Sequence, residues 1–347
     1  MSTALNEQAA VTDLGQPCDG SRIAGLGAHR PAAVVTNEDA AALAGVTAEW
    51  IVQRVGVQER RHADDTESVV SMAVAAGKEA LADAGADARD VDVVVLATCS
   101  LPSSMPNGAA QIAARLGCEA AAGFDVNAAC SGFSHAIAVA DALVRAGSAR
   151  AVLVVGSERM SDWVASDDRS TGPIFADGAA AALVLPSDRR SIFPVAWGSD
   201  GSRADLIRIS AQSGHMEMAG SKVFRWTTSA LAPVIHAACE RAGVDPADLK
   251  AFVPHQANLR IIDALRQSLD APDVVTATDI TSAGRHRPLQ LWLRQRGLNS
   301  SAPTPSPATA PTCAPRATKR SSSIASPHPR RLAGAAHRTR DRTRQYL

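Results

Sequence analysis

A cysteine among small residues is a candidate nucleophile in this sequence. Cys130 lies in segment 124–133, Phe-Asp-Val-Asn-Ala-Ala-Cys-Ser-Gly-Phe, between an apolar run and a stretch with helical spacing. A helix that begins there would direct its N-terminal N–H groups and the positive end of its dipole at the sulfur, which favours thiolate over thiol. A thiolate at this place would be a nucleophile. The alternative is an inert core cysteine, since free cysteine is among the most buried residue types.

A histidine in a second turn could assist the same chemistry. His255 ends a short apolar run, 250–254, and precedes a helical pattern, 259–269. A neutral imidazole there could donate a hydrogen bond to a developing oxyanion while a neighbour holds its other ring nitrogen. Read alone, such a histidine can equally be structural. The presence of Cys130 in the same chain favours the catalytic interpretation.

The elements able to position these two residues are visible in the hydrophobic pattern. Near-continuous apolar runs at 92–98 and 151–156, with a third at 179–186, are typical of strands buried on both faces of a sheet. Strands that alternate with helices predict an α/β protein with a central sheet. Helical spacing covers residues 37–43, 48–55, 67–84, 106–116, 131–146 and 228–243.

Composition limits the class of protein. Hydrophobic residues make up 46% of the 347 positions, enough for a core that can bury an active site. The six cysteines are scattered, without a CxxC pair or the close Cys/His spacing of metal sites, so we expect reduced thiols in the cytoplasm. No basic leader with an apolar run and no apolar stretch of about eighteen residues occurs, so we expect neither export nor membrane insertion.

The C-terminal segment differs sharply from the rest of the chain. Residues 285–347 contain twelve Arg, one Lys and one Asp, a net charge of +12, so residues 1–284 carry −12 because the whole chain is neutral. This segment also holds eight of the nineteen prolines and no valine, and it cannot bury enough apolar area to offset its chain entropy. We expect a disordered tail there and a flexible leader over residues 1–20. A basic arm for nucleic acid is the alternative for the tail.

The motifs around Cys130 and His255 together resemble those of the β-ketoacyl-acyl-carrier-protein synthase III family, including relatives that prime polyketide synthesis. The resemblance covers about residues 20–284, and its further matches are segments 50–61, 168–171 and 175–180. It implies a thiolase-like α/β fold in which two related halves make duplicated αβαβα layers, and it implies a homodimer. The halves would be residues 21–187 and 188–284, the second of them truncated.

The resemblance also implies a two-step reaction. Cys130 would accept an acyl group from acyl-coenzyme A; malonyl acyl carrier protein would then lose CO₂ and attack the thioester. His255 and a partner asparagine would stabilise the enolate oxygen, and backbone N–H groups near Cys130 would serve the thioester oxygen. Coenzyme A enters as substrate, so no cofactor, metal, nucleic acid or membrane partner is implied.

Substrate-binding residues are carried over by position. Trp50 and Arg169 would sandwich the adenine of coenzyme A, because an indole and a guanidinium offer flat faces for stacking. Arg54 would lie near the phosphates, Gly220 beside the pantetheine tunnel, and Asn258 would contribute to the same binding region. For Trp50 the alternative is a residue of a helix core.

Four further positions concern the acyl pocket and the carrier protein. Met105 stands where the family places a side chain that crosses the dimer interface and closes the acyl pocket, which predicts tolerance for varied or branched starters. Arg225, Arg260 and Arg266 are candidates for a basic patch that receives the acidic carrier protein. Each arginine can equally belong to a solvated face.

The sequence departs from the family after the histidine motif. Family members continue with Gly-Asn-Thr-Ser-Ala-Ala, whose asparagine completes the catalytic set, whereas here Thr281 to Gly284 is followed by Arg285. The family's final Gly-rich segment and last apolar strands are also missing. A change this abrupt predicts a frameshift in 285–347. The alternatives to full condensation are therefore an acyltransferase that does not condense, or an inactive remnant.

Overall fold

The computed structural model describes residues 15–283. Its strands are β1 Gly20–His29, β2 Ala33–Thr36, β3 Glu59–His62, β4 Val93–Ala97, β5 Ala122–Val126, β6 Val152–Arg159, β7 Asp177–Ser187, β8 Ile207–Ile209, β9 Met216–Met218, β10 Ala251–Phe252 and β11 Val275–Thr276. Its helices are α1 Asn37–Ala44, α2 Ala48–Val55, α3 Val69–Ala84, α4 Gly108–Leu116, α5 Gly132–Arg145, α6 Gly220–Ala242, α7 Leu259–Gln267 and α8 Ile280–Ala283.

A five-stranded sheet forms the centre of the first half, in the order β1-β7-β6-β4-β5. Strand β4 pairs in parallel with both β5 and β6, while β7 is antiparallel to β6 and β1. All five residues of β4 are buried. Val94 and Leu96 pack in a cluster with α3 and α4, and Val95 packs with α5 on the opposite face. The predicted strand with two buried faces and the central sheet are confirmed.

The close approach of β1 to α3 depends on glycine. A Cβ added at Gly27 would overlap the backbone of α3 at Ala76 and Ala80. We expect Gly27→Ala to lower the free energy of unfolding by about 3 kcal/mol or more, because backbone has to move. Gly201→Ala is the matched control, since nothing lies within 4 Å of the new methyl group. Urea denaturation of both variants measures the difference, and equal stabilities would contradict the packing argument.

The second half is less extensive within the described residues. Strands β10 and β11 form a two-stranded parallel sheet, and Leu269, Ala271 and Val274 form a small buried cluster with parts of α6 and β10. The duplicated second sheet is thus represented here by two strands. Helix α6 begins at Gly220, eight residues before the predicted start. The unrecognised first turns contain Thr227, whose hydroxyl bonds back to the carbonyl of Val223 over 2.9 Å.

The predicted domain limits need one adjustment. Cys18 already donates its backbone N–H to Arg145 O over 3.1 Å, and Gly20 pairs with Ser187, so contacts with the first half begin before residue 21. The rest of the predicted leader, residues 1–14, and the predicted tail, 285–347, lie outside the described residues. Between residues 15 and 283 no helix combines the length and the apolar character needed to cross a membrane.

Candidate active site

Cys130 lies in a tight turn that joins β5 to α5. A single 3-10 turn, Ala129–Ser131, leads directly into the first residue of α5. The turn is closed by Ser131, whose N–H and hydroxyl both donate to Ala128 O, over 3.1 and 2.9 Å. Ala129 has a φ of +44°, an uncommon value for a residue with a side chain. The turn leaves Cys130 exposed, at the N-terminus of α5 as the sequence predicts.

The ends of three adjacent parallel strands converge beside this turn. Strand β5 leads to Cys130, β4 leads to Thr98 and Cys99, and β6 ends with Glu158 and Arg159. Because β5, β4 and β6 are neighbours and run in one direction, their carboxyl ends lie at the same edge of the sheet, the edge at which α/β proteins place ligands.

Glu158 organises the residues that follow β4. Its carboxylate accepts hydrogen bonds from the N–H of Cys99 over 2.8 Å, from the hydroxyl of Thr98 over 3.2 Å, and from the hydroxyl of Ser100. The hydroxyl of Ser100 in turn accepts the N–H of Arg159 over 2.9 Å. The segment 98–100 is therefore held against the end of β6.

Cys99 is the second thiol at this place. Burial raises the pKa of the Cys99 thiol well above its ordinary value, and the charge of Glu158 and its hydrogen bond raise it further. A thiol held in its protonated form is a poor nucleophile. Of the two cysteines beside the strand ends, Cys130 is therefore the one suited to attack.

His255 lies in the turn between β10 and α7, and the residue after it holds that turn in place. Gln256 is 6% exposed. Its side-chain amide donates to Pro254 O over 2.9 Å and to Ala277 O over 3.1 Å, and its oxygen accepts the N–H of Ile280 over 3.1 Å. Gln256 thus ties the His255 turn to the segment 277–280.

One cavity of about 400 Å³ brings the two candidate catalytic residues together. Cys130 and His255 both line it. The remaining wall is largely apolar, with glycine and alanine near the strand ends, and it includes Phe133, Met160, Phe175, Ile207 and Met216. An exposed thiol and an imidazole that share an apolar cavity can carry out acyl transfer, with the imidazole available to an oxyanion.

A second cavity, also about 400 Å³, lies between α2, α6, α7 and the segment around 169. The guanidinium carbon of Arg169 is 5.5 Å from the centre of the Trp50 ring. A second such pair lines the same cavity, with the guanidinium carbon of Arg260 5.0 Å from the centre of the Phe224 ring. The cavity is also lined by Arg54 and Arg225, so flat faces and positive charge occur together.

The comparisons with known proteins identify the family. Residues 124–201 match the family described as 3-oxoacyl-[acyl-carrier-protein (ACP)] synthase III, and residues 239–286 match its C-terminal region. A β-ketoacyl-[acyl-carrier-protein] synthase III of Streptomyces coelicolor is 44% identical over 268 residues, which cover 76% of this chain and 85% of that protein. The chain belongs to the β-ketoacyl-[acyl-carrier-protein] synthase III family. It is therefore an acyl-transferring condensing enzyme by family.

Solved structures of β-ketoacyl-[acyl-carrier-protein] synthase III enzymes agree with the fold. The enzyme of Aquifex aeolicus is 34% identical with a TM-score of 0.76, covering 80% of this chain and 92% of that one. The priming β-ketosynthase of a polyketide biosynthetic pathway is 39% identical with a TM-score of 0.75, covering 78% and 85%. These matches confirm the predicted thiolase-like α/β fold and place the chain among starter-condensing enzymes of fatty acid or polyketide biosynthesis.

The structure gathers most of the residues that the family resemblance indicated. Seven of them line the second cavity, from α2, α6, the start of α7 and the segment around 169: Trp50, Arg54, Arg169, Gly220, Arg225, Asn258 and Arg260. Asn258 also caps α7 through the N–H of Arg260, at 2.9 Å, and donates to Arg54 O over 3.2 Å. A Cβ at Gly220 would meet only the Met218 methyl group, at 3.9 Å, so the protein leaves this space open.

Two predicted residues lie away from both cavities. Met105 is 82% exposed, in the segment between β4 and α4. Arg266 lies in the last turn of α7, and it lines neither cavity. The structure thus brings Arg225 and Arg260 together at one cavity and separates Arg266 from them.

Several cavity residues were not singled out from the sequence. Cys99, Glu158 and Asp279 line the cavity of Cys130, and Gln256 holds its histidine turn. For Glu158 a signal exists, because it is the acidic residue that ends the buried apolar run of β6. Cys99, Gln256 and Asp279 follow or interrupt short apolar runs. Because this pattern is common in turns, it does not indicate a functional role.

Proposed function

We propose that this chain catalyses the starter condensation of its family with Cys130 as the acyl acceptor and His255 as the oxyanion donor. The observation that supports the proposal is the cavity that both residues line, with Cys130 exposed at the N-terminus of α5. The Cys130 thiolate attacks the carbonyl carbon of acyl-coenzyme A, and the tetrahedral intermediate collapses with release of the coenzyme A thiolate. A protein thioester remains.

The second step uses the same cavity. A malonyl group on the carrier protein loses CO₂, and the electron pair left behind forms an enolate whose oxygen accepts a hydrogen bond from His255. The enolate carbon attacks the Cys130 thioester, which releases the thiolate and leaves a β-ketoacyl carrier protein. Gln256 supports this role, because its three hydrogen bonds fix the turn that carries the imidazole.

Coenzyme A fits the second cavity by its chemistry. An adenine can stack on the indole of Trp50 once the guanidinium of Arg169, now 5.5 Å from the ring centre, moves aside to make room, while Arg54, Arg225 and Arg260 supply positive charge for phosphates. The same arginines give the acidic carrier protein a basic docking point on a body that carries −12. Met105, at 82% exposure, is available to a second copy of the chain in a homodimer.

The intact mass of the protein after mixing with acetyl-, propionyl- and isobutyryl-coenzyme A tests this proposal. A mass increase equal to the acyl group is the expected result, and the most reactive compound identifies the starter. Folded protein that gains no mass from any of the three would contradict the proposed function.

Trp50→Ala is expected to weaken coenzyme A binding by about tenfold to a hundredfold, since base stacking on an aromatic ring contributes roughly 1–3 kcal/mol. Titration calorimetry with coenzyme A measures the change, after circular dichroism has verified that the variant is folded. Trp197→Ala is the control, because Trp197 is an exposed tryptophan, at 57%, and lines neither cavity. An equal loss of affinity in both variants would remove Trp50 from the binding site.

A further inference from the structure

The cavity of Cys130 carries charge of one sign. Two carboxylates, those of Glu158 and Asp279, are among its lining residues, and within residues 15–283 no Lys or Arg lines it. Elsewhere the wall is apolar or uncharged apart from His255. The cavity that would receive coenzyme A has the opposite character, with four arginines.

Glu158 is the carboxylate next to the apolar wall. It receives the N–H of Cys99, and Cys99 packs in one hydrophobic cluster with Met160, Phe175 and Met216. These four residues also line the cavity. The apolar wall available to an acyl chain and Glu158 therefore border the same cavity.

The Glu158 carboxylate is fixed in place, and its charge acts on a neighbouring residue that lines the cavity. Three donors on consecutive residues, Thr98 to Ser100, hold it, so it cannot swing away from an incoming group. Its charge contributes to the raised pKa of the Cys99 thiol, after burial. A second negative charge held at the end of an acyl chain against this wall would meet the same field.

We propose that Glu158 is a specificity-determining residue that keeps acyl groups with a terminal carboxylate off Cys130 and admits neutral acyl groups. The inference rests on the proposed acyl transfer to Cys130. It narrows the starters to coenzyme A thioesters whose acyl group is uncharged. The apolar wall contacts such a group, and the Glu158 carboxylate does not repel it.

Two variants separate the charge of Glu158 from its structural contacts. Glu158→Gln removes the charge and keeps the shape: the amide oxygen can accept the Cys99 N–H, and the amide nitrogen can donate to a hydroxyl of Thr98 or Ser100, which rotate to accept. Ser100→Ala is the control, because it removes one hydrogen bond to the carboxylate and leaves the charge.

The first measurement compares acylation of the protein by butyryl- and succinyl-coenzyme A, which differ mainly in a terminal methyl or carboxylate group. Butyryl transfer is expected to be faster in the parent protein, and the ratio of the two rates should fall by roughly tenfold or more in Glu158→Gln, as expected for loss of a nearby like charge. Ser100→Ala should keep the parent ratio. An unchanged ratio in Glu158→Gln, or an equal fall in Ser100→Ala, overturns the inference.

The second measurement does not require acyl transfer. Alkylation of Cys130 by neutral iodoacetamide and by anionic iodoacetate, each normalised to a free thiol in solution, reports the field at the sulfur directly. If the parent protein prefers iodoacetamide and this preference falls in Glu158→Gln, the inference is supported. That conclusion holds even if no acyl-coenzyme A reacts, because the lack of acylation would contradict only the proposed function. Equal selectivity in the parent and Glu158→Gln overturns the role of the charge.

Discussion

Replacement of Cys130 by alanine is expected to reduce formation of the acyl-enzyme by about 10³-fold or more, since removal of a nucleophile costs the whole covalent route. Cys130 is the one exposed thiol among the five cysteines that the structure describes. Mass spectrometry of the intact protein over time, with the most reactive acyl-coenzyme A, measures the loss. Peptide mapping of the parent protein should place the adduct on Cys130.

Cys118→Ala provides the matched control for this experiment. Cys118 is 3% exposed, and burial, with a smaller contribution from the charge of Asp87, raises the pKa of its thiol to about 11. At neutral pH this thiol stays protonated and unreactive. The variant should therefore acylate like the parent. An adduct that persists in Cys130→Ala, or disappears in Cys118→Ala, would assign the acyl group to a different residue.

The first half shows what periodicity can predict. Strand β4 is a run of five apolar residues, and such a run has no polar face to present to water, so burial on both faces follows from the sequence itself. The positions of Cys130 and His255, each between an apolar run and a helical pattern, likewise follow from local spacing. Their meeting in one cavity was implied by the family resemblance.

Other features depend on which strands are neighbours, and the local pattern contains no such information. Glu158 becomes a cavity residue only because β6 lies beside β4, which brings its carboxylate to the N–H of Cys99, 59 residues away. Gln256 acquires its role through Ala277, 21 residues later. Arg266 and Arg260 show that proximity in sequence is also a poor guide. The two are six residues apart, yet only Arg260 lines the cavity.

Several hydrogen bonds anchor the segment 277–282. Besides the bonds to Gln256, the carbonyl of Thr281 accepts the N–H of Gln58 over 2.8 Å, and that of Ser282 accepts Arg30 Nη2 over 3.0 Å. The segment that leads to the third catalytic position implied by the family resemblance is thus held in place up to Ser282. The resemblance places the family's asparagine at the position of Arg285.

Acyl transfer and decarboxylation are therefore expected to separate in this chain. The acyl-enzyme should form, because Cys130 and the coenzyme A cavity are present, while CO₂ release from malonyl carrier protein should be slower by about 10²–10³-fold than in a family member with the asparagine. Loss of one preformed donor to an oxyanion has an effect of that size. Release of labelled CO₂, measured beside the acyl-enzyme mass under the same conditions, gives both rates.

The control is the Asn→Arg variant of a family member that has the asparagine. It isolates the effect of this one residue on CO₂ release. If the missing donor explains the slow decarboxylation, that variant should lose CO₂ release to a similar degree and keep its acyl-enzyme. If it loses both steps, arginine disturbs more than the enolate oxygen. CO₂ release from the present chain at the family member's rate would mean that His255 and the backbone suffice for the enolate, and the departure at residue 285 would then carry no catalytic consequence.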